Sequence, residues 1–87
     1  MTESLIFAGT PANAAATLKY LVQQGFEISL VITRPDAPVG RKRVLTPSAV
    51  AVTAELLGLE VCKTNTIDHE TLARIALTGC DTAVVVA

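Results

Sequence analysis

The stretch Leu-Ile-Phe-Ala-Gly-Thr-Pro at residues 5–11 decides the fold of this chain. Four consecutive apolar residues are typical of a short strand that is buried on both faces of a sheet. Gly9 ends the strand, Thr10 is of a type that caps helices, and Pro11 suits the first helical position because its missing N–H costs nothing there. The stretch therefore predicts a buried strand that leads directly into a helix.

The residues that follow continue this alternation of strand and helix. We predict a helix that ends near Gln24, because Gly25 is a natural terminator, and a second apolar strand over residues 28–32. Apolar spacings of three and four predict the inward side of this helix. The residues on that side are Ala15, Leu18, Leu21 and Val22.

The second half of the chain repeats the pattern. Thr-Pro-Ser at residues 46–48 opens a second helix that ends near Leu57, and a short third strand covers residues 59–62. Asp68 caps a third helix that continues through Leu77. The residues predicted to face inward from these two helices are Val50, Ala54, Leu57, Leu72, Ile75 and Ala76.

A fourth strand over residues 82–87 completes the order βαβαβαβ. Helices between apolar strands imply parallel pairing, right-handed crossovers and a sheet that is covered on both faces. The predicted fold class is α/β, namely the first half of a doubly wound, Rossmann-like parallel sheet with strand order 3-2-1-4. A length of 87 residues allows one small domain and no more.

The fourth predicted strand ends in Ala-Val-Val-Val-Ala at residues 83–87 and is apolar on both faces. This pattern is typical of a central strand, yet the order 3-2-1-4 leaves the strand at an exposed edge, which soluble proteins avoid. We therefore expect the chain to be the front of a longer polypeptide, truncated after this strand. The alternative is self-association through residues 82–87.

Composition excludes several classes of protein. A content of 51% apolar and 17% charged residues is typical of a folded domain and excludes a disordered chain. No apolar run approaches the ~20 residues of a membrane-spanning helix, and the acidic start argues against a secretory leader, so we expect a cytoplasmic location. Cys62 and Cys80 lack the spacing of metal ligands, which predicts two half-buried thiols and no metal site.

Residues 33–46 form a long connection that shows neither helical nor strand periodicity. Between residues 34 and 43 four basic residues stand against one acidic residue, a net charge of +3, whereas the rest of the chain carries −4. The four basic residues are Arg34, Arg41, Lys42 and Arg43. Because only 3% of the chain is aromatic, this loop favours contact with the phosphate backbone of a structured nucleic acid over stacking on bases.

Two further features are candidates for anion binding, namely the turn at Gly9 and Thr10 and the side chain of Arg34. The turn at Gly9 and Thr10 presents backbone N–H groups at a helix start and so predicts an anion-binding turn, and Arg34 falls where NADP-binding folds place a ligand for the 2′-phosphate. The alternative function is therefore a free-standing module that binds NADP or phosphate there, although the turn lacks the GxGxxG pattern.

Asp-His-Glu at residues 68–70 are consecutive and diverge on a helix, so no catalytic group is predicted in this chain.

Four stretches of the chain stand in an order and spacing that characterise one family. They are Phe-Ala-Gly-Thr-Pro at 7–11, Thr-Arg-Pro-Asp-Ala-Pro-Val-Gly-Arg at 33–41, Leu-Thr-Pro-Ser at 45–48 with Val50, and Val-Val-Val-Ala at 84–87. Together they resemble the N-terminal part of the formyltransferase domain of methionyl-tRNA formyltransferase, over the whole chain. Arg34 stands where the family often has glutamine, and Lys42 replaces a frequent glycine.

The resemblance implies an enzyme that transfers a formyl group from 10-formyltetrahydrofolate to the methionyl amino group of initiator methionyl-tRNA in translation initiation. It implies that residues 1–87 are the N-terminal portion of a Rossmann-like formyltransferase domain, without the rest of that domain and without the C-terminal β-barrel domain. Arg41 matches the family's tRNA-contacting arginine, and we expect Lys42 and Arg43 to bind tRNA beside it. The family's catalytic asparagine, histidine and aspartate and its folate pocket follow the fourth strand, so this segment alone is expected to bind no cofactor and to be inactive.

Overall fold

The computed structural model describes residues 4–65, 68–80 and 82–86. Its elements are β1 (Ser4–Gly9), α1 (Ala12–Gln23), β2 (Glu27–Thr33), β3 (Ala37–Val39), β4 (Val44–Thr46), α2 (Ala49–Leu56), β5 (Val61–Lys63), α3 (His69–Thr78) and β6 (Ala83–Val86). One parallel sheet has the order β5-β2-β1-β6, which confirms the predicted α/β class and the arrangement 3-2-1-4. Of the helices described, none is long and apolar enough to cross a membrane.

One face of the sheet packs against α1 and α2. Alternation along β1 turns Leu5 and Phe7 toward this face, and Phe7 is completely buried there together with Leu18 of α1. The predicted inward side of α1 is confirmed, since its apolar residues are buried in this cluster or pack against it. The buried residues of the cluster are Leu5, Phe7, Ala14, Ala15, Leu18, Ile28, Val31, Val50 and Ala54, and Leu21 and Val22 pack against them.

The opposite face of the sheet packs against α3. Its buried cluster consists of Ile6, Leu30, Ile32 and Cys62, and Ile75 and Cys80 pack against it. The two thiols therefore belong to the same apolar layer. Cys80 is half-buried as predicted, whereas Cys62 is buried more deeply than predicted because it lies on β5 under α3.

The predicted inward side of α3 is partly wrong. Leu72 is 51% exposed and Ala76 is exposed too, whereas Thr71 and Ile75 face the sheet. Thr71 tolerates burial because its backbone N–H and its side chain are both hydrogen-bonded to the Asp68 carboxylate, so no polar group is stranded. Apolarity alone predicts that Leu72 is buried, but Thr71 is buried instead, because its polar groups are hydrogen-bonded locally.

Two smaller predictions also need correction. Leu57 does not point inward: it is the C-cap of α2, where the chain turns away from the core, and it is 36% exposed. The third predicted strand lies at Val61–Lys63 instead of residues 59–62, because the backbone pairing with β2 begins only at Val61. The first strand, the second strand and the end of α1 lie within one or two residues of their predicted bounds.

β6 is the edge strand that the sequence predicts. It pairs with β1 from Ala83 opposite Ile6 to Val86 opposite Gly9. Val85 is 74% exposed on the face that α3 covers only in part. Val84 and Val86 lie on the opposite face and pack against the cluster that includes Phe7 and Leu18. The predicted strand also included Ala87, which lies outside the described residues, and self-association through this strand stays a prediction.

Candidate functional site

The carboxyl ends of the parallel strands form the edge at which sheets of this type bind ligands. The connection that leaves β2 at this edge contains the antiparallel pair β3–β4, with Ala37 opposite Thr46 and Val39 opposite Val44. The prediction of a connection without strands is therefore wrong: strands of three residues are too short to show an alternating pattern. We call residues 37–46 the basic hairpin.

The tip of the basic hairpin carries its charge. The backbone N–H of Arg43 donates to the carbonyl oxygen of Gly40 at 3.2 Å, which closes a tight turn over Arg41 and Lys42. Gly40 has φ +78° and Arg43 has φ +50°, so the turn takes the left-handed region at both of its ends. All three basic side chains are exposed, as a phosphate contact requires.

The strands of the basic hairpin bury little apolar surface. Val39 is 51% exposed, Val44 is 59% exposed and Leu45 is 67% exposed. A two-stranded hairpin that packs so little of its surface is marginally stable by itself. Its orientation must therefore be decided mainly by what holds its base.

Arg34 lies at the base of the basic hairpin, directly after β2. One of its guanidinium nitrogens, Nη1, donates to the carbonyl oxygen of Pro35 at 2.9 Å and to that of Thr46 at 3.2 Å. Pro35 precedes β3 and Thr46 ends β4, so this nitrogen joins the two ends of the hairpin. The alternative function assigned Arg34 to an anion at Gly9 and Thr10, whereas here the side chain is hydrogen-bonded to the hairpin.

A second link to the base comes from β5. The Lys63 ammonium forms an ion pair with Asp36 at 2.8 Å and lies 4.0 Å from the carboxylate of Glu55 on α2. The hydrogen bond to Asp36 raises the pKa of Lys63 above its ordinary value of 10.5. Both partners are about one-third exposed, so the pair is a directional link that salt screens in part.

The third link is buried and was not predicted. The Thr33 hydroxyl at the end of β2 lies 2.6 Å from the Ser48 hydroxyl, which also accepts a hydrogen bond from the backbone N–H of Ala51 at 3.0 Å. Ser48 is thus the N-cap of α2, at the predicted start of that helix, and at the same time it anchors the helix on β2. The signal for the second role was the polar residue Thr33 directly after the apolar run at residues 30–32.

The first turn of the chain differs from its prediction at Thr10. The N-cap of α1 is Pro11, the helix begins at Ala12, and no side chain caps it within the described residues. β1 continues through Gly9, which pairs with Val86, so one more residue is needed before the helix can start. The anion-binding role of Gly9 and Thr10 stays a prediction.

Residues 68–70 form the start of α3. Asp68 is the N-cap of α3 and accepts a hydrogen bond from the backbone N–H of Thr71 at 2.9 Å, which lowers the pKa of Asp68 below its ordinary value. His69 and Glu70 are exposed on the first turn of α3. Across the described ranges, no three His, Cys, Asp or Glu side chains come together as metal ligands.

Comparison with known proteins agrees on one family. No family model matches the chain. The chain is 57% identical over 83 residues to a methionyl-tRNA formyltransferase of Arthrobacter sp. (strain FB24) and 52% identical over 83 residues to one of Clavibacter sepedonicus. Each alignment covers 95% of this chain and 27% of the relative, so the chain spans about a quarter of the length of these proteins. The predicted resemblance is confirmed: the chain is homologous to the N-terminal part of the methionyl-tRNA formyltransferase family.

Proposed function

We propose that this chain is the N-terminal part of an enzyme that transfers a formyl group from 10-formyltetrahydrofolate to the methionyl amino group of initiator methionyl-tRNA. In that enzyme the segment supplies half of the catalytic domain's sheet and a hairpin that contacts the tRNA. The proposal includes a cytoplasmic location, where translation begins. It is supported by relatives named methionyl-tRNA formyltransferase and by the chemistry of the basic hairpin.

The observation that carries the tRNA contact is the position of three adjacent cations. Arg41, Lys42 and Arg43 are exposed on a closed turn at the ligand-binding edge of the sheet, in a chain whose other residues are net acidic. Guanidinium groups take two phosphate oxygens at once, and a cluster of cations attracts a polyanion over roughly a Debye length. A folded tRNA offers such phosphates at high density.

Formyl transfer needs groups that orient the amine and stabilise the charge that develops on the formyl oxygen. Among the described residues, Thr33, Arg34 and Lys63 at the sheet edge are engaged in holding the hairpin and α2. We therefore propose that the catalytic groups and the folate site lie in the part of the relatives that this chain does not span. The segment alone is then inactive.

The test is Arg41→Ala in the full-length enzyme. Loss of one charged hydrogen bond to phosphate corresponds to a roughly tenfold higher KM for methionyl-tRNA, with the KM for the folate changed less than about twofold. Lys19→Ala is the matched control, because it removes one exposed cation from α1, far along the chain from the hairpin. An unchanged KM for tRNA in Arg41→Ala would contradict the proposed contact.

A further inference from the structure

We propose that Arg34 and Lys63 are positioning residues that hold the basic hairpin in the orientation in which its tip meets the tRNA. The inference rests on the proposed function of the tip, but it concerns side chains that need not touch the tRNA.

Arg34 acts on the hairpin's two ends. Its Nη1 donates to carbonyl oxygens of Pro35 and Thr46, which lie on opposite sides of the hairpin's base. The side chain is half-buried, so these hydrogen bonds from a charged donor are only partly screened by water.

Lys63 fixes the base relative to the rest of the fold. Asp36 belongs to the connection just before β3, Lys63 ends β5, and Glu55 lies on α2. The ion pair at 2.8 Å therefore joins the residue directly before the hairpin to β5 at one edge of the sheet, and the contact at 4.0 Å joins β5 to α2. Arg34 therefore joins the two ends of the hairpin, and Lys63 determines the orientation of the hairpin's base relative to the sheet.

The links at the base matter because the hairpin has few others. Its apolar residues Val39, Val44 and Leu45 are more than half exposed, so packing contributes little to its orientation. If the base loosens, the hairpin populates other orientations, and the apparent affinity for tRNA falls in proportion to the fraction that stays competent. The charges at the tip would be unchanged, so the loss would come from orientation alone.

The experiment measures hairpin order directly, in the full-length enzyme, by limited trypsin digestion followed by mass spectrometry. The tip contains three consecutive trypsin sites at Arg41, Lys42 and Arg43. Arg34 precedes a proline and is not cleaved, so Arg34→Met removes no site. We expect Arg34→Met, Lys63→Met and above all their combination to speed cleavage at the tip by about three- to tenfold, because local opening controls such cleavage.

Two control variants sharpen the result. Lys19→Met removes a cation from α1 and should leave cleavage at the tip unchanged, and Lys63→Arg keeps a donor for Asp36 and should restore slow cleavage. In the kinetic assay the double variant should raise the KM for methionyl-tRNA by about fivefold with kcat nearly constant, as a smaller competent fraction requires.

The outcomes separate this inference from the proposed function. Cleavage that is no faster in the double variant overturns the positioning role, even if Arg41→Ala weakens tRNA binding. An unchanged KM in the double variant, in an enzyme where Arg41→Ala raises it, overturns the inference as well. If Arg41→Ala has no effect, the proposed tRNA contact itself is wrong, whatever the digestion shows.

Discussion

At Gly9, β1, α1 and β6 approach one another closely. A Cβ atom built on it would lie 2.8 Å from the Cβ of Ala14 and 3.1 Å from the carbonyl oxygen of Val86. Its φ is not in the left-handed region, unlike those of the other four glycines. Glycine is therefore required here by space between backbone and helix and not by the conformation of a turn.

Gly9→Ala should destabilise the fold by about 1–3 kcal/mol, the usual cost of inserting a methyl group where nothing can move. Urea unfolding of the full-length protein measures this. Ala14→Gly in the same chain removes the closest clashing atom, so the double variant should lose less than the sum of the single variants. Strictly additive losses would show that the contact with Ala14 is not the cause.

The roles of single residues were predictable where they depend on neighbours in the sequence. They were not predictable where they depend on contacts between residues that are distant in the sequence. Asp68 is found as the helix cap that the sequence predicts, and α2 starts at the predicted Thr-Pro-Ser with Ser48 as its cap, because a cap is satisfied by backbone only three residues away. The hydrogen bonds of Arg34 to the carbonyl oxygens at the base of the hairpin were not predicted, because its partner Thr46 is twelve residues away in the sequence. No short sequence pattern predicts a hydrogen bond between a side chain and a carbonyl oxygen at that separation.

At the scale of elements, α3 is the helix whose start depends on charge. Asp68 accepts the Thr71 N–H as a carboxylate, so its pKa is lowered on folding. A lowered pKa contributes stability that is complete above the ordinary value of 3.8 and is lost as the pH falls through the lower folded value. The advantage of the wild type over Asp68→Asn should therefore shrink with acid.

The measurement compares thermal unfolding of the wild type and Asp68→Asn between pH 7 and about pH 2. Asparagine also caps helices but does not titrate, so it isolates the charge from the cap. We expect the difference in Tm to fall toward zero or change sign below the ordinary pKa of an aspartate. A difference that is constant over the whole range would contradict the role of the charged form.

The helices and the long parallel strands were predictable as elements, whereas the basic hairpin was not. Apolar runs and caps mark β1, α1 and β2 because each is decided by neighbours within a turn or two. β3 and β4 each have only three residues, and their pairing depends on the turn at Gly40 and on links at the base. Leu72 was misjudged because apolarity does not say how far a helix is rotated, and Leu57 was misjudged because α2 ends one residue before it.

At the scale of the whole molecule, the basic connection lies at the edge of the sheet where the parallel strands have their carboxyl ends. The strand order places the carboxyl ends of β1, β2 and β5 side by side, and the only connection with a net positive charge leaves from this edge among the described residues. The parallel order was predictable because helices between apolar strands allow few arrangements. The exposed β6 edge follows from the same order.

The measurement that tests the central claim most directly is the salt dependence of tRNA binding by the full-length enzyme. Each phosphate contact adds roughly 0.7–0.9 to the slope of log K against log salt concentration. If the basic hairpin contacts tRNA phosphates through all three cations, R41A/K42A/R43A should reduce the magnitude of this slope by about 2 to 3 relative to the wild type. K19A should leave the slope unchanged. Equal slopes for the wild type and the triple variant would show that the hairpin does not bind the tRNA backbone.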